Sequence, residues 1–280
     1  MQSSNLKRSS VVRWAVIILI AAVVSGCASI RQAGSQIQEQ WRLRSERQAL
    51  VALYNAAGGE DWPYTNGWLS NSSICTWERV TCYDGYVTVL NLSDAGLDTI
   101  PHEISRLQHL QGLDLSNNAL TSFPLEVAQL PNLISLELAN NQLTSLPPEI
   151  SQLRNLTYLG LSGNGLTTLP PEFGQLQKLV GLDLSANSLV SLPPEIGQLQ
   201  SLGNLNLSGN DLTSLPLELG QLQNLALLNL SGNQLTAIPP ELGQIPNLME
   251  VWVASNPLTN LPPEICQRDI WTDVPVLCGE

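Results

Sequence analysis

Side-chain catalysis needs a nucleophile, a base or a metal-binding cluster at close spacing, and this 280-residue chain offers few candidates. Its two histidines, His102 and His109, have no serine, cysteine or carboxylate partner at a motif spacing, so they read as solvated surface residues. The Ser-Gly-Asn triplets at Gly163, Gly209 and Gly232 are recurring turns and not a phosphate-cradling loop. Five cysteines occur: Cys27, then two local pairs, Cys75 with Cys82 and Cys266 with Cys278. Neither pair has metal-like spacing or a histidine close by, which argues against zinc and leaves two disulfides as the natural reading in an oxidising compartment. Two carboxylate columns remain. One holds Glu103, Glu126, Glu149, Glu172, Glu195, Glu218, Glu241 and Glu264; the other contains Asp114, Glu137 and Asp183. Neither has the base or nucleophile that proton or group transfer would need, so no enzyme activity, cofactor or metal is expected.

Charge narrows the partners. The formal net charge is −12, and the only lysines are Lys7 and Lys178. Phosphate backbones are held by clustered Lys and Arg that displace counterions, so nucleic acid is excluded. An acidic surface suits a cationic partner, and it also serves plain solubility. The first residues put the protein at a membrane. Lys7, Arg8 and Arg13 form a basic leader, followed by an eleven-residue apolar run from Trp14 to Val24. That run is too short to span a bilayer comfortably and reads as an export signal. Val24-Ser25-Gly26-Cys27 resembles the bacterial lipobox, which implies cleavage after residue 26, acylation of Cys27 and anchoring without a spanning helix. Ala28 follows, so a host with two membranes would carry the protein on the outer one. Removing residues 1–26 takes away three basic residues and leaves 9 basic against 24 acidic, a net charge of −15.

The elements that must position any site are set by internal repetition. A 23-residue frame starts at Val87, Leu110, Leu133, Leu156, Leu179, Leu202, Leu225 and Leu248, without insertions. Leucine-type residues fall at positions 1, 4, 6, 11, 14, 18 and 21 of the frame, asparagine at position 9 and proline at position 15. Apolar residues at 4 and 6 predict a short strand whose alternate positions 3, 5 and 7 face solvent. The position-9 asparagines, Asn118 to Asn256, are expected to turn inward and satisfy buried backbone groups; Ala95 takes this place in the first repeat. Proline at 15 opens the outer side, where the following glutamates can meet the free N–H groups of a helical turn. The pattern resembles the leucine-rich repeat family. The resemblance implies an α/β solenoid: a curved array with a parallel, concave β-sheet, short helical or 3-10 turns on the convex side, and disulfide caps at both ends.

A solenoid needs its ends covered. Ser45-Glu46-Arg47-Gln48 fits a capping box opening a helix that stops at Gly58-Gly59. The segment through Cys82 resembles the plant-receptor type of repeat cap, with Cys75, Trp77, Val80 and Cys82 matching C-x-W-x-G-V-x-C and Arg79 in the place of the glycine. Trp62, Trp68 and Trp77 read as a lid on the first repeat, and Trp271 as part of a second lid. The expected organisation is a signal at 1–26, a tether at 27–44, an N-terminal cap at 45–86, eight repeats at 87–265 and a C-terminal cap at 266–280. Sequons such as Asn71 and Asn155 would suit a secreted plant protein, but the lipobox favours a bacterial source.

Binding is then expected on the concave face. Position 5 reads Asn91, Asp114, Glu137, Gly160, Asp183, Asn206, Asn229 and Trp252, and position 3 adds Tyr158, Asn204, Leu227 and Glu250. Asp114 and Glu137 would sit side by side and repel, and Tyr158 and Trp252 are anchor types at interfaces. Asp114, Glu137, Tyr158, Asp183, Asn206, Asn229 and Trp252 are therefore the candidate ligand-binding residues, and the first four are expected to serve no core and cap no turn. Gly112, Gly160 and Gly181 would leave room for a bound chain. The expected partner is a protein or peptide, with cationic character favoured; the alternative is an envelope spacer without a discrete ligand.

Overall fold

The computed structural model describes residues 39–62, 65–267, 270–274 and 278. Cys27 and the signal sequence lie outside the described residues. The chain divides into two units, residues 1–48 and 49–280. The described part of the first unit is helical from residue 39, with Arg42 Nη1 donating to Glu46 Oε2 at 3.1 Å one turn away. Ser45 thus lies inside a helix and not at its start, which corrects the capping-box expectation. No glycine or proline interrupts residues 39–48, so helix propagates through the serine.

The second unit opens with helical residues 49–56, and Gly58, with a left-handed φ of 56°, ends them. Ten strands follow in one sheet, ordered as in the chain: β1 (Val80–Tyr83), β2 (Tyr86–Asn91), β3 (Gly112–Asp114), β4 (Ser135–Glu137), β5 (Tyr158–Gly160), β6 (Gly181–Asp183), β7 (Asn204–Asn206), β8 (Leu227–Asn229), β9 (Glu250–Trp252) and β10 (Trp271–Thr272). β1 and β2 pair as an antiparallel hairpin, and every later neighbour is parallel. Registry is strict. Each residue of a repeat strand pairs with the residue 23 positions on, as Leu182 does with Leu205. The frame leucines are buried behind the sheet, Leu182 at 2% exposure and Leu184 at 0%.

On the far side each repeat makes one helical turn directly after the position-15 proline. Six are 3-10 turns, such as Pro194–Gln198, and two, Leu125–Ala128 and Pro263–Cys266, are α-helical. The turns stack tightly. A Cβ on Gly220 would come within 2.7 Å of Glu241 Cβ and 2.8 Å of its carbonyl oxygen, so glycine recurs where one turn crosses the next. The column of glutamates lies in these first turns, but among the described residues its carboxylates accept no hydrogen bond from a backbone N–H. The favourable field of the turn remains as their local role.

The asparagine ladder joins the repeats. Asn210 is 4% exposed. Its Nδ2 donates to the Leu184 and Leu207 carbonyls, each at 3.0 Å, and its Oδ1 accepts from Leu189 N–H at 3.0 Å. Two of these three partners belong to the preceding repeat, so each asparagine closes the turn before its own. In the first repeat the Trp62 indole donates to the Ala95 carbonyl at 3.1 Å, while Ala95 N–H donates to Asn118. At the other end Asp273, directly after β10, accepts from Val253 and Ala254 N–H at 2.8 and 3.1 Å.

Position 8 of every repeat is left-handed. It carries Asp94, Asn117, Asn140, Gly163, Ala186, Gly209, Gly232 and Ser255, with φ between 52° and 68°. At the N-terminal end Trp62, Trp68 and Trp77 are buried in one aromatic stack with Tyr54. Arg79 keeps the backbone that glycine serves in the family motif, with φ 69°. Its Nη1 donates to the Ser93 carbonyl at 2.7 Å and its guanidinium lies over Trp62, contacts that offset the strain. Disulfides join Cys75 to Cys82 and Cys266 to Cys278. Among the described residues no helix is long and apolar enough to cross a membrane.

Candidate functional site

Strict registry turns the outward positions into two rows across the sheet. Position 5 runs Asn91, Asp114, Glu137, Gly160, Asp183, Asn206, Asn229, Trp252, each residue paired with the next. Position 3 runs alongside through Tyr158, Gly181, Asn204, Leu227 and Glu250, and then gains Trp271 from β10. All seven candidate residues therefore share one surface. They do not form one cluster.

The acidic group sits in the first half. Glu137 reaches past its own strand, and its carboxylate fills the space beside Gly160 where a Cβ would stand. There the Tyr158 hydroxyl donates to it. Desolvation by burial pushes the Glu137 carboxyl above its ordinary value; repulsion from Asp114 and Asp183 adds to the rise, and the Tyr158 hydrogen bond opposes it. The Tyr158 hydroxyl is pushed up to about 12, first by burial and then by the charge of Glu137. Its ring covers Gly181, whose Cβ would lie 2.9 Å from Tyr158 Cδ2. Gly160 and Gly181 thus make room for Glu137 and Tyr158, not for a bound chain, which corrects the earlier expectation. Gly112 stands only at ordinary contact distance from Val89.

A second correction concerns the short polar residues of position 5. Asp114 Oδ1 accepts from Ser116 N–H at 2.9 Å, and Asp183 does the same for Ser185 at 2.9 Å. Asn206 and Asn229 accept from Ser208 and Ser231 N–H at 3.1 and 3.0 Å. These four side chains cap the turn two residues on, so part of their reason for being there is structural. Glu137 is one methylene longer, caps nothing, and projects into the acidic group.

The other half is aromatic and amide-rich. Trp252 and Leu227 are 41% and 37% exposed, and a hollow of about 190 Å³ lies among Asn204, Asn206, Leu227, Asn229, Glu250 and Trp252. Trp271 meets Trp252 edge to face with ring centres 6.2 Å apart. It is 55% exposed and lengthens the sheet, so it is part of this face and not a buried lid. Its place in the row depends on the loop after the last repeat, which no repeat spacing dictates. No Lys, Arg or His occupies position 3, 5 or 7 in any repeat. On the turn side His102 Nε2 lies 3.3 Å from Glu103, and the exposed His109 packs on Tyr86. Among the described residues no group of His, Cys, Asp and Glu could hold a metal ion.

Comparison with known proteins agrees with this architecture. Residues 43–83 match the leucine-rich repeat N-terminal domain, 86–143 and 224–245 match leucine-rich repeat models, and 135–210 match a leucine-rich repeat region. No curated protein sequence matches. A leucine-rich-repeat protein of Leptospira interrogans is 42% identical over 65% of this chain and 46% of its own, with a TM-score of 0.62. The crystal structure of PEPR1-AtPEP1 is 27% identical over 82% of this chain and 34% of its own, with a TM-score of 0.69. The chain thus spans about half the length of the first and a third of the second. With family models matched to both its cap and its repeats, the chain belongs to the leucine-rich repeat family.

Proposed function

We propose that this is an exported, lipid-anchored binding module of the cell envelope that recognises a cationic protein or peptide through its sheet face. One observation carries the site: Glu137 is partly desolvated between Asp114 and Asp183, in rows where no repeat position 3, 5 or 7 bears a cation. Folding alone gains nothing from that crowding, whereas a ligand's ammonium or guanidinium group would relieve it. The rigid strands add to the case, because side chains already ordered lose little entropy on association. The repeat fold, shared with PEPR1-AtPEP1, is one that generally mediates protein–protein binding. The basic leader, the apolar run and the lipobox support a signal at 1–26, anchoring through Cys27 and a tether at 27–44, and two or more acyl chains would hold the protein firmly.

A photoreactive amino acid placed at position 158 and activated in intact cells tests the binding reading. Discrete adducts should form there and not from position 149 on the turn side, and Asp114→Asn with Glu137→Gln should remove them. Asparagine already fills the same turn-capping role at positions 206 and 229, so the fold is kept. Equal adducts from both sides, or a diffuse ladder of many neighbours, would instead identify a spacer.

A further inference from the structure

The hollow beside Trp252 adds a second recognition point, and we infer that the ligand is an extended segment carrying two cationic side chains, one on the acidic group and one against Trp252 and Glu250. This rests on the binding role proposed above and specifies its partner. Three features of the hollow fit an alkyl cation. Glu250 makes no hydrogen bond or ion pair among the described residues and stands beside Leu227 in the register, so a carboxylate flanks an apolar floor. The Trp252 ring forms a wall, and the edge of Trp271 at 6.2 Å steadies its orientation. A lysine stem can lie along Leu227 and the indole face while its ammonium meets Glu250 and the amide oxygens nearby. The volume, about 190 Å³, suits one side chain and not a folded element. No Lys, Arg or His stands at position 3, 5 or 7 of any repeat, so no neighbour in these rows competes for either carboxylate group.

The strand ladder sets the separation. Glu137 brings its carboxylate over β5, beside Asp183 on β6, and the hollow spans β7 to β9 with its carboxylate and indole, Glu250 and Trp252, on β9. Adjacent strands are ~4.8 Å apart, so the two points are separated by three to four spacings, roughly 14–19 Å. An extended chain rises ~3.3 Å per residue, which places the cations roughly four to six residues apart.

The test uses fluorescein-labelled Ser/Gly peptides and the mature protein, read by fluorescence anisotropy at low ionic strength. One peptide carries a single lysine, and others carry two lysines one, five or ten positions apart. The five-position peptide should bind about 10-fold tighter than the single-lysine peptide, because the second contact is intramolecular once the first is made. The other spacings should gain less than about threefold on the same reasoning. Trp252→Ala and the near-isosteric Glu250→Gln should each abolish the spacing gain, so that the five-position peptide binds no tighter than the one-position peptide. If the single-lysine peptide binds but no spacing adds affinity, or the gain survives both variants, the two-point inference falls and the acidic group remains a cation site. Failure of every lysine peptide to bind a natively folded protein would instead remove the underlying reading of the face. Neutral monosaccharides that displace the peptide through Trp252 would also overturn the inference, as the mark of a sugar site.

Discussion

Replacing Asn210 by alanine probes the device that holds neighbouring repeats in phase. Asn210 is buried, and three of its hydrogen bonds are 3.0 Å long, two as donor and one as acceptor. Alanine removes the partner and leaves two carbonyls and one N–H in a site that water does not reach. A buried backbone group that loses its partner costs about 1–3 kcal/mol, and partial relaxation of the turn recovers some of it. The expected loss is therefore ~3–5 kcal/mol, large for a single polar-to-alanine change. Urea denaturation followed by circular dichroism and tryptophan fluorescence measures it. Trp252 and Trp271 lie C-terminal to the break, and Trp62, Trp68 and Trp77 lie N-terminal to it. A stack whose repeats touch only their neighbours should then lose cooperativity, with two separable transitions. A loss below about 1 kcal/mol with one unchanged transition would show that the amide bonds are dispensable.

Four further outcomes follow from other positions. Ala186→Gly should stabilise the protein by about 1 kcal/mol in the same urea experiment, because Ala186 holds a left-handed φ of 52° that glycine adopts freely. Leu182→Ala, in a central repeat and 2% exposed, should cost ~2–5 kcal/mol through lost burial and a cavity. Glu137 has a folded value raised above its ordinary 4.5, so its contribution to stability is present below that value and is lost as pH rises through the folded one. Glu137→Gln should therefore gain stability over wild type as pH goes from 4 to 8, measured by thermal melts, and a constant difference would refute the crowding. Labelling with radioactive palmitate should mark the wild type and not Cys27→Ala; equal labelling would remove the proposed anchor.

The repeat architecture was legible in the sequence because every buried position recurs in a fixed frame and each leucine has one structural duty. The same frame identified the two rows of the face, since a strand of period 2 admits only one outward set. What escaped depends on reach between repeats. That Gly160 accommodates Glu137 and Gly181 accommodates Tyr158 is a relation between residues 23 apart, set by side-chain length. The capping role of Asp114 and Asp183 could have been read from the serine two residues after each, a pattern repeated at Asn206 and Asn229. The left-handed position 8 was half visible in its glycines and asparagines, but Ala186 and Ser255 hide it. Trp271 lies beyond the periodic region, where spacing carries no information.

Each asparagine completes the repeat before it, and the last repeat is completed by Asp273. The stack is thus directional but indifferent to its own length, because every internal seam is chemically the same seam. Duplicating residues 179–201, or removing them, would join the same surfaces and leave Trp62 and Asp273 at work on unchanged neighbours. Gene duplication or unequal recombination in multiples of one frame could therefore move the acidic group and the Trp252 hollow apart or together in steps of ~4.8 Å without a new fold. Inserting 22 or 24 residues would instead leave one coil a residue short or long, a misfit at that seam because repeats touch only their neighbours. Ligand length could then evolve by counting repeats, while ligand chemistry evolves by substitution at positions 3 and 5.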